Sequence, residues 1–182
     1  MRTNRLFPSL CALSLAFVLV ACGSGDQWDD VTAEGLTPEF DDLDLPLVSE
    51  DEGGVLDSGL DSRRALYSSS DGARQVLSVI QVAEDDDQAQ LLYSNFVEQL
   101  ANPPPELFFG AEAEQVDAES LSLGTEDTAY VTAEPDDHNN RVWTDVYRTE
   151  RVVVVTQVLG PDEGEQADLR QTVAERILDG TP

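Results

Sequence analysis

The 182-residue chain contains no lysine: its ten basic side chains are all arginine, set against 37 Asp and Glu for a formal net charge of −27. Without lysine there is no Schiff base and no phosphate-gripping Walker lysine, and no Gly-x-Gly-x-x-Gly loop occurs either. The arginines are scattered, so no basic patch exists to displace counterions, and nucleic acid is excluded as a partner. The same charge pushes the body of the protein away from anionic lipid headgroups. Cysteine is almost as scarce. Cys11 and Cys22 are the two in the sequence, so the rest of the chain can form no disulfide, no thiolate nucleophile, no zinc–cysteine site and no iron–sulfur cluster. No cofactor is expected.

Histidine occurs once, as His138 in Glu134-Pro135-Asp136-Asp137-His138-Asn139-Asn140. A Ser-His-Asp arrangement would have to use it. A catalytic imidazole is held by a second group and shielded from water, which the tip of a polar turn does not provide, so no catalytic residue is assigned and the chain is read as non-enzymatic. Carboxylates do cluster, at Asp41-Asp42-Asp44, Glu50 to Glu52, Glu84 to Asp87 and Asp136-Asp137. None has the Asp-x-Asp-x-Asp-Gly spacing with a distal glutamate that calcium loops use. In so acidic a chain such runs follow from composition, and no metal site is assigned. Were Ca2+ bound anywhere, Asp136, Asp137 and Asn139 at that tip would be the place.

What the N-terminus does contain is a positive start, Arg2 and Arg5, then about fifteen mostly apolar residues from Leu6 to Val20, the layout of a secretory signal. That run falls short of the roughly 20 residues a membrane-spanning helix needs. It closes on Leu19-Val20-Ala21-Cys22, which resembles the bacterial lipobox Leu-x-(Ala or Gly)-Cys. The resemblance covers residues 1 to 22 and implies cleavage before Cys22 and acylation of its sulfur. Residues 1–21 are then a lipoprotein signal peptide and residues 22–45 a lipid-anchored acidic tether. Residues 23 to about 38 are small, polar and acidic, the composition of a flexible leash with a root-mean-square span of ~20–25 Å. Pro38 to Leu47 could be a short helix or an extended arm.

Residues 46–182 form one domain of ordinary size. Asp61 to Ser69 and Gln75 to Ala83, joined through Ser70-Asp71-Gly72, predict a hairpin. Ala89, Leu92, Tyr93, Phe96, Val97 and Leu100 recur at helical spacing, with Asp85 and Gln88 as a capping box and Pro103 to Pro105 as the stop. Four more strands are expected over 114–123, 127–133, 141–149 and 151–159. The run Val152 to Val155 is apolar on both faces, as a central strand is. Pro161 and Asp162 open a last helix carrying Leu169, Val173 and Ile177, with Gly180 at the position of a left-handed cap. The fold class is therefore α+β, an antiparallel sheet of about five to six strands with two main helices packed on it, preceded by the signal peptide and a disordered tether. The loop Glu106-Leu107-Phe108-Phe109-Gly110 clusters bulky apolar residues outside any periodic element. Its ordinary role is a plug under the helix, and Leu107, Phe108 and Phe109 are the candidate partner contacts.

The stretch from about Leu60 to Leu178, with Leu123-Gly124-Thr125-Glu126-Asp127 leading into paired strands, looks like the small α/β/α lipoprotein domains related in shape to the PsbP family, with Thr125 where those domains carry an aspartate. That resemblance implies an accessory or binding subunit at a membrane surface and transfers no catalytic residue. The expectation is a lipid-anchored binding module on the extracytoplasmic face of a cell membrane, or of an outer membrane where the cell has one. Its expected partners are the bilayer, through the lipid on Cys22, and a protein or envelope component. A small calcium-dependent binding protein or hydrolase of the envelope is the alternative.

Overall fold

A computed structural model describes residues 27–51, 60–100, 114–161 and 165–182. Among these residues seven strands lie in one antiparallel sheet: β1 (Leu47–Asp51), β2 (Asp61–Ser68), β3 (Gln75–Val82), β4 (Gln115–Asp117), β5 (Glu126–Thr132), β6 (Asn140–Thr149) and β7 (Val152–Pro161). The helices are α1 (Asp86–Leu100) and α2 (Glu165–Leu178). The sheet order is β1-β2-β3-β7-β6-β5-β4. Two meanders, β1 to β3 and β4 to β7, thus meet where β3 pairs with β7, and α1 lies in the connection between them. The expected α+β class holds, with seven strands where five to six were anticipated. The addition is β1, whose five residues are all exposed and so show no alternation to read.

Local chemistry sets the elements. At the β2–β3 turn Gly72 takes φ 71°, Ser69 Oγ donates to Asp71 Oδ1 at 2.6 Å and the Ala73 N–H donates to the same oxygen at 3.0 Å. The Ser69 hydroxyl holds the exposed Asp71 carboxyl below its ordinary range. At the start of α1 the Gln88 N–H donates to Asp85 Oδ1 at 2.8 Å, as a capping box requires, while Gln88 Oε1 accepts from the Glu84 N–H at 2.7 Å, one residue earlier than the standard pattern.

β7 is a central strand buried on both sides. Val152, Val154 and Val158 enter one core with Val173, Ala174 and Ile177 of α2, and Val153 and Val155 enter the other with Ala89, Leu92, Tyr93 and Phe96 of α1. The result is three layers, α1 on one face of the sheet and α2 on the other.

The core beneath α2 holds more than that helix and the sheet. Trp28, Ala33, Leu36, Phe40 and Leu45 belong to it, none more than 6% exposed. The division expected at residue 45/46 is therefore not where packing divides the chain. Residues 27–45 are a strap laid across the sheet and α2, not tether, and they include a 3-10 turn at Asp41–Leu43. Their composition is poor in apolar residues, yet most of the apolar ones they have are spent in the core. Asp61 Oδ2 accepts from the Ala33 N–H at 2.8 Å, Tyr67 Oη donates to the Pro38 carbonyl at 2.8 Å, and the Phe40 and Tyr67 rings meet edge-on at 4.7 Å.

The strap also decides the end of α2. Gly180 does not take the left-handed conformation expected of it, since the described glycines with positive φ are Gly72 and Gly124. The helix closes instead with the Thr181 N–H and Oγ1 both donating to the Leu178 carbonyl, at 2.9 and 2.7 Å. A Cβ at residue 180 would lie 2.8 Å from Leu36 Cδ2, so the missing side chain makes room for the strap.

Candidate partner-binding surfaces

Cys22 and the Leu107, Phe108 and Phe109 loop lie outside the described residues. His138 lies where the sequence puts it, exposed at the β5–β6 loop tip. The loop is organised by Asp136, whose Oδ1 accepts from the His138 and Asn140 backbone N–H groups, both at 2.8 Å, while Asn139 adopts φ 61°. These backbone donors, Asn140 first, hold the exposed Asp136 carboxyl below its ordinary range. The carboxylate proposed for calcium is thus committed to shaping its own turn. Among the described residues no three His, Cys, Asp or Glu side chains converge as a metal site.

Several charged side chains serve as structural ties. Asp145, on β6, faces α2 and accepts hydrogen bonds from two guanidinium nitrogens of Arg170, Nε at 2.8 Å and Nη2 at 2.6 Å, in a site where both side chains are buried. Burial pushes the Asp145 carboxyl up and the Arg170 charge draws it back. Arg170 Nη2 also donates to the Glu119 carbonyl at 3.1 Å, so the connection between β4 and β5 is tied in. On the opposite face Arg148 pairs with Glu126 at 2.9 Å and with Asp86 at the first turn of α1. Burial lowers the Arg148 pKa, and these two carboxylates more than restore it. At the β6–β7 turn, Trp28 Nε1 donates to Glu150 Oε2 at 3.0 Å and the Arg151 guanidinium stands over the indole at 5.9 Å.

Where the strap runs beside the body it leaves shallow grooves. One, of about 300 Å³, opens at the sheet edge between β1 and residues 34–41; two others, of about 360 and 310 Å³, lie beside Gly180 and beside Trp28. The first has Tyr67 and Phe40 as its floor and Glu34, Glu39, Asp41 and Glu50 around it, with Leu47 at the rim. Arg63 reaches Glu34 at 3.2 Å and Glu50 at 3.3 Å. Burial first, with the Glu50 charge adding to it, pushes the Tyr67 hydroxyl up to about 12.

No family model matches the chain, and no curated protein matches it in sequence. Among solved structures it is similar to the extracellular domain of PknH from Mycobacterium tuberculosis, with a TM-score of 0.57 at 12% identity, over 82% of this chain and 95% of that one. At such identity the likeness is one of fold. No described helix is long and apolar enough to cross a membrane.

Proposed function

We propose that this protein is a lipid-anchored, non-enzymatic binding module of the cell envelope, held on the extracytoplasmic face of a membrane by an acylated Cys22 and engaging a protein or envelope partner. The observation that carries the reading is the lipobox-like Leu19 to Cys22 ending so close to the folded body: Trp28, six residues on, is buried against the β6–β7 turn. Six residues reach at most about 20 Å. The pole bearing Trp28, Glu150 and the start of α1 then faces the bilayer, and the β2–β3 turn faces away. A fold shared with an extracellular domain supports an extracytoplasmic address. The commitment of the buried charges to pairing elements, and the exposed position of the single histidine, support binding over catalysis.

The test is mass spectrometry of the native N-terminus together with fractionation of a Cys22→Ala variant. A diacylglyceryl-modified Cys22 at the mature terminus, and loss of the variant from the membrane fraction, are expected. An uncut or unmodified chain, or membrane retention that ignores Cys22, would overturn the anchor.

A further inference from the structure

We propose that the free edge of β1, with the acidic groove beside it, is the docking site for an extended segment of a partner protein that carries lysine or arginine at alternate positions. The inference deepens the binding-module reading and rests on it, though not on the lipid.

Among the described residues β1 is the terminal strand of the sheet, paired on one side with β2. An edge strand offers unpaired N–H and C=O groups to any incoming strand. Two of its side chains are apolar and bare to solvent, Leu47 at 49% and Val48 at 59% exposure. The pairing shifts register between Leu47 and Ser49, so Leu47 lies opposite Tyr67 and Glu50 opposite Ala65. Tyr67 and Ala65 both belong to the core beneath the strap. Leu47 and Glu50 therefore stand on the groove side of the sheet, and a strand added beyond β1 would send every second side chain toward that same side.

What waits there selects the occupant. Glu34, Glu39, Asp41 and Glu50 ring the groove, and Arg63 bridges two of them. Arg176 stacks on Phe40 at 5.6 Å and donates to the Glu39 carbonyl at 2.9 Å, while its charge is paired with Asp42. Four carboxylates against one arginine leave the groove negative, which fits an ammonium or guanidinium. A second copy of this chain is disfavoured as occupant, because each copy carries −27. In the orientation set by the Trp28 pole, β1 flanks the body with its Leu47 end directed away from the bilayer.

The probe is a short synthetic peptide alternating threonine and lysine, titrated calorimetrically into the full chain at physiological salt, beside the same peptide N-methylated at alternate amides. The two peptides carry equal charge, and only the first can complete a ladder. Binding of the first, about tenfold or more weaker for the second, is expected. Val48→Pro should abolish the difference between the peptides, and Glu39→Gln with Glu50→Gln should weaken both. Equal binding of the two peptides would reduce the attraction to bulk charge and overturn the proposal without any protein variant having to fold. Sedimentation showing dimers that Val48→Pro disperses would overturn it in favour of self-association. A photo-crosslinker placed at Val48 and, separately, at the exposed Leu91 of α1 distinguishes the two levels of the reading in cells: protein adducts from Leu91 alone overturn the edge as docking site and leave the binding module standing.

Discussion

Asp145 and Arg170 close a two-pronged ion pair between the middle of β6 and the helix on its far side, at 2.8 and 2.6 Å. Both are buried, so the pair depends on each member. Removing one leaves the other buried without a countercharge, which costs about 3–5 kcal/mol in comparable sites, whereas replacing both by apolar residues of similar volume is often neutral or stabilising. Asp145→Ala should therefore lower unfolding stability by that order and Asp145→Leu with Arg170→Met should recover most of it. Urea unfolding of the three proteins checks this, and a double variant as unstable as the single one would show that the pair does more than satisfy itself.

Gly124 occupies the turn that feeds β5, with φ 65°, and the Thr125 N–H beyond it donates to the Arg148 carbonyl at 2.7 Å. A Cβ on residue 124 would sit 2.3 Å from that same carbonyl oxygen. Gly72 has nearly the same φ but open space around it. Gly72→Ala should cost only the left-handed penalty of about 1–2 kcal/mol, and Gly124→Ala clearly more, because the backbone of two strands must separate as well. Matched denaturant midpoints for the two variants separate conformational strain from the clash.

Much of the sheet and both helices could be read from residue spacing, because each buries one face or both against a continuous layer. Ala89 to Leu100 repeats at helical intervals since one side of α1 rests on β6 and β7, and Val152 to Val155 lacks polar positions since both sides of β7 are covered. The strap escapes such reading. Trp28, Ala33, Leu36, Phe40 and Leu45 follow no period because they are isolated anchors in irregular backbone, fixed by contacts such as Ala33 to Asp61 that join distant parts of the chain. β1 escapes it for the opposite reason, having no buried face. Asp145 was visible as a carboxylate amid an alternating strand, but nothing local in the sequence names Arg170, 25 residues later and on another element. The grooves beside the strap follow from its placement, so they were equally unreadable.

If the strap is part of the folded body, its anchors should behave as core. Trp28 is 6% exposed and packs in the cluster shared with α2. Trp28→Ala is expected to cost about 3–5 kcal/mol, the range for truncating a buried aromatic residue. Deleting residues 27–45 should abolish cooperative unfolding altogether. Retention of the parent urea midpoint by either protein would return these residues to the status of a tether.

The strap is also clamped from outside, and that clamp has a pH signature. Arg176 on α2 binds both carboxylate oxygens of Asp42, at 2.7 and 2.6 Å. Its hydrogen bonds are the main cause holding the Asp42 carboxyl below the ordinary carboxylate value. A carboxyl depressed in the folded state binds fewer protons there than in the unfolded chain, so its stabilising contribution is complete above the unfolded value, about 3.9, and is lost as pH falls through the lower folded value. Asp42→Asn should thus melt below the parent protein at neutral pH, and the gap should close on acidification below about pH 4. The carboxyl is exposed at the surface, so the gap will be small and should shrink in molar salt as well. A gap that persisted unchanged at the acid end would assign the effect to the lost geometry of the 3-10 turn and not to the charge on Asp42.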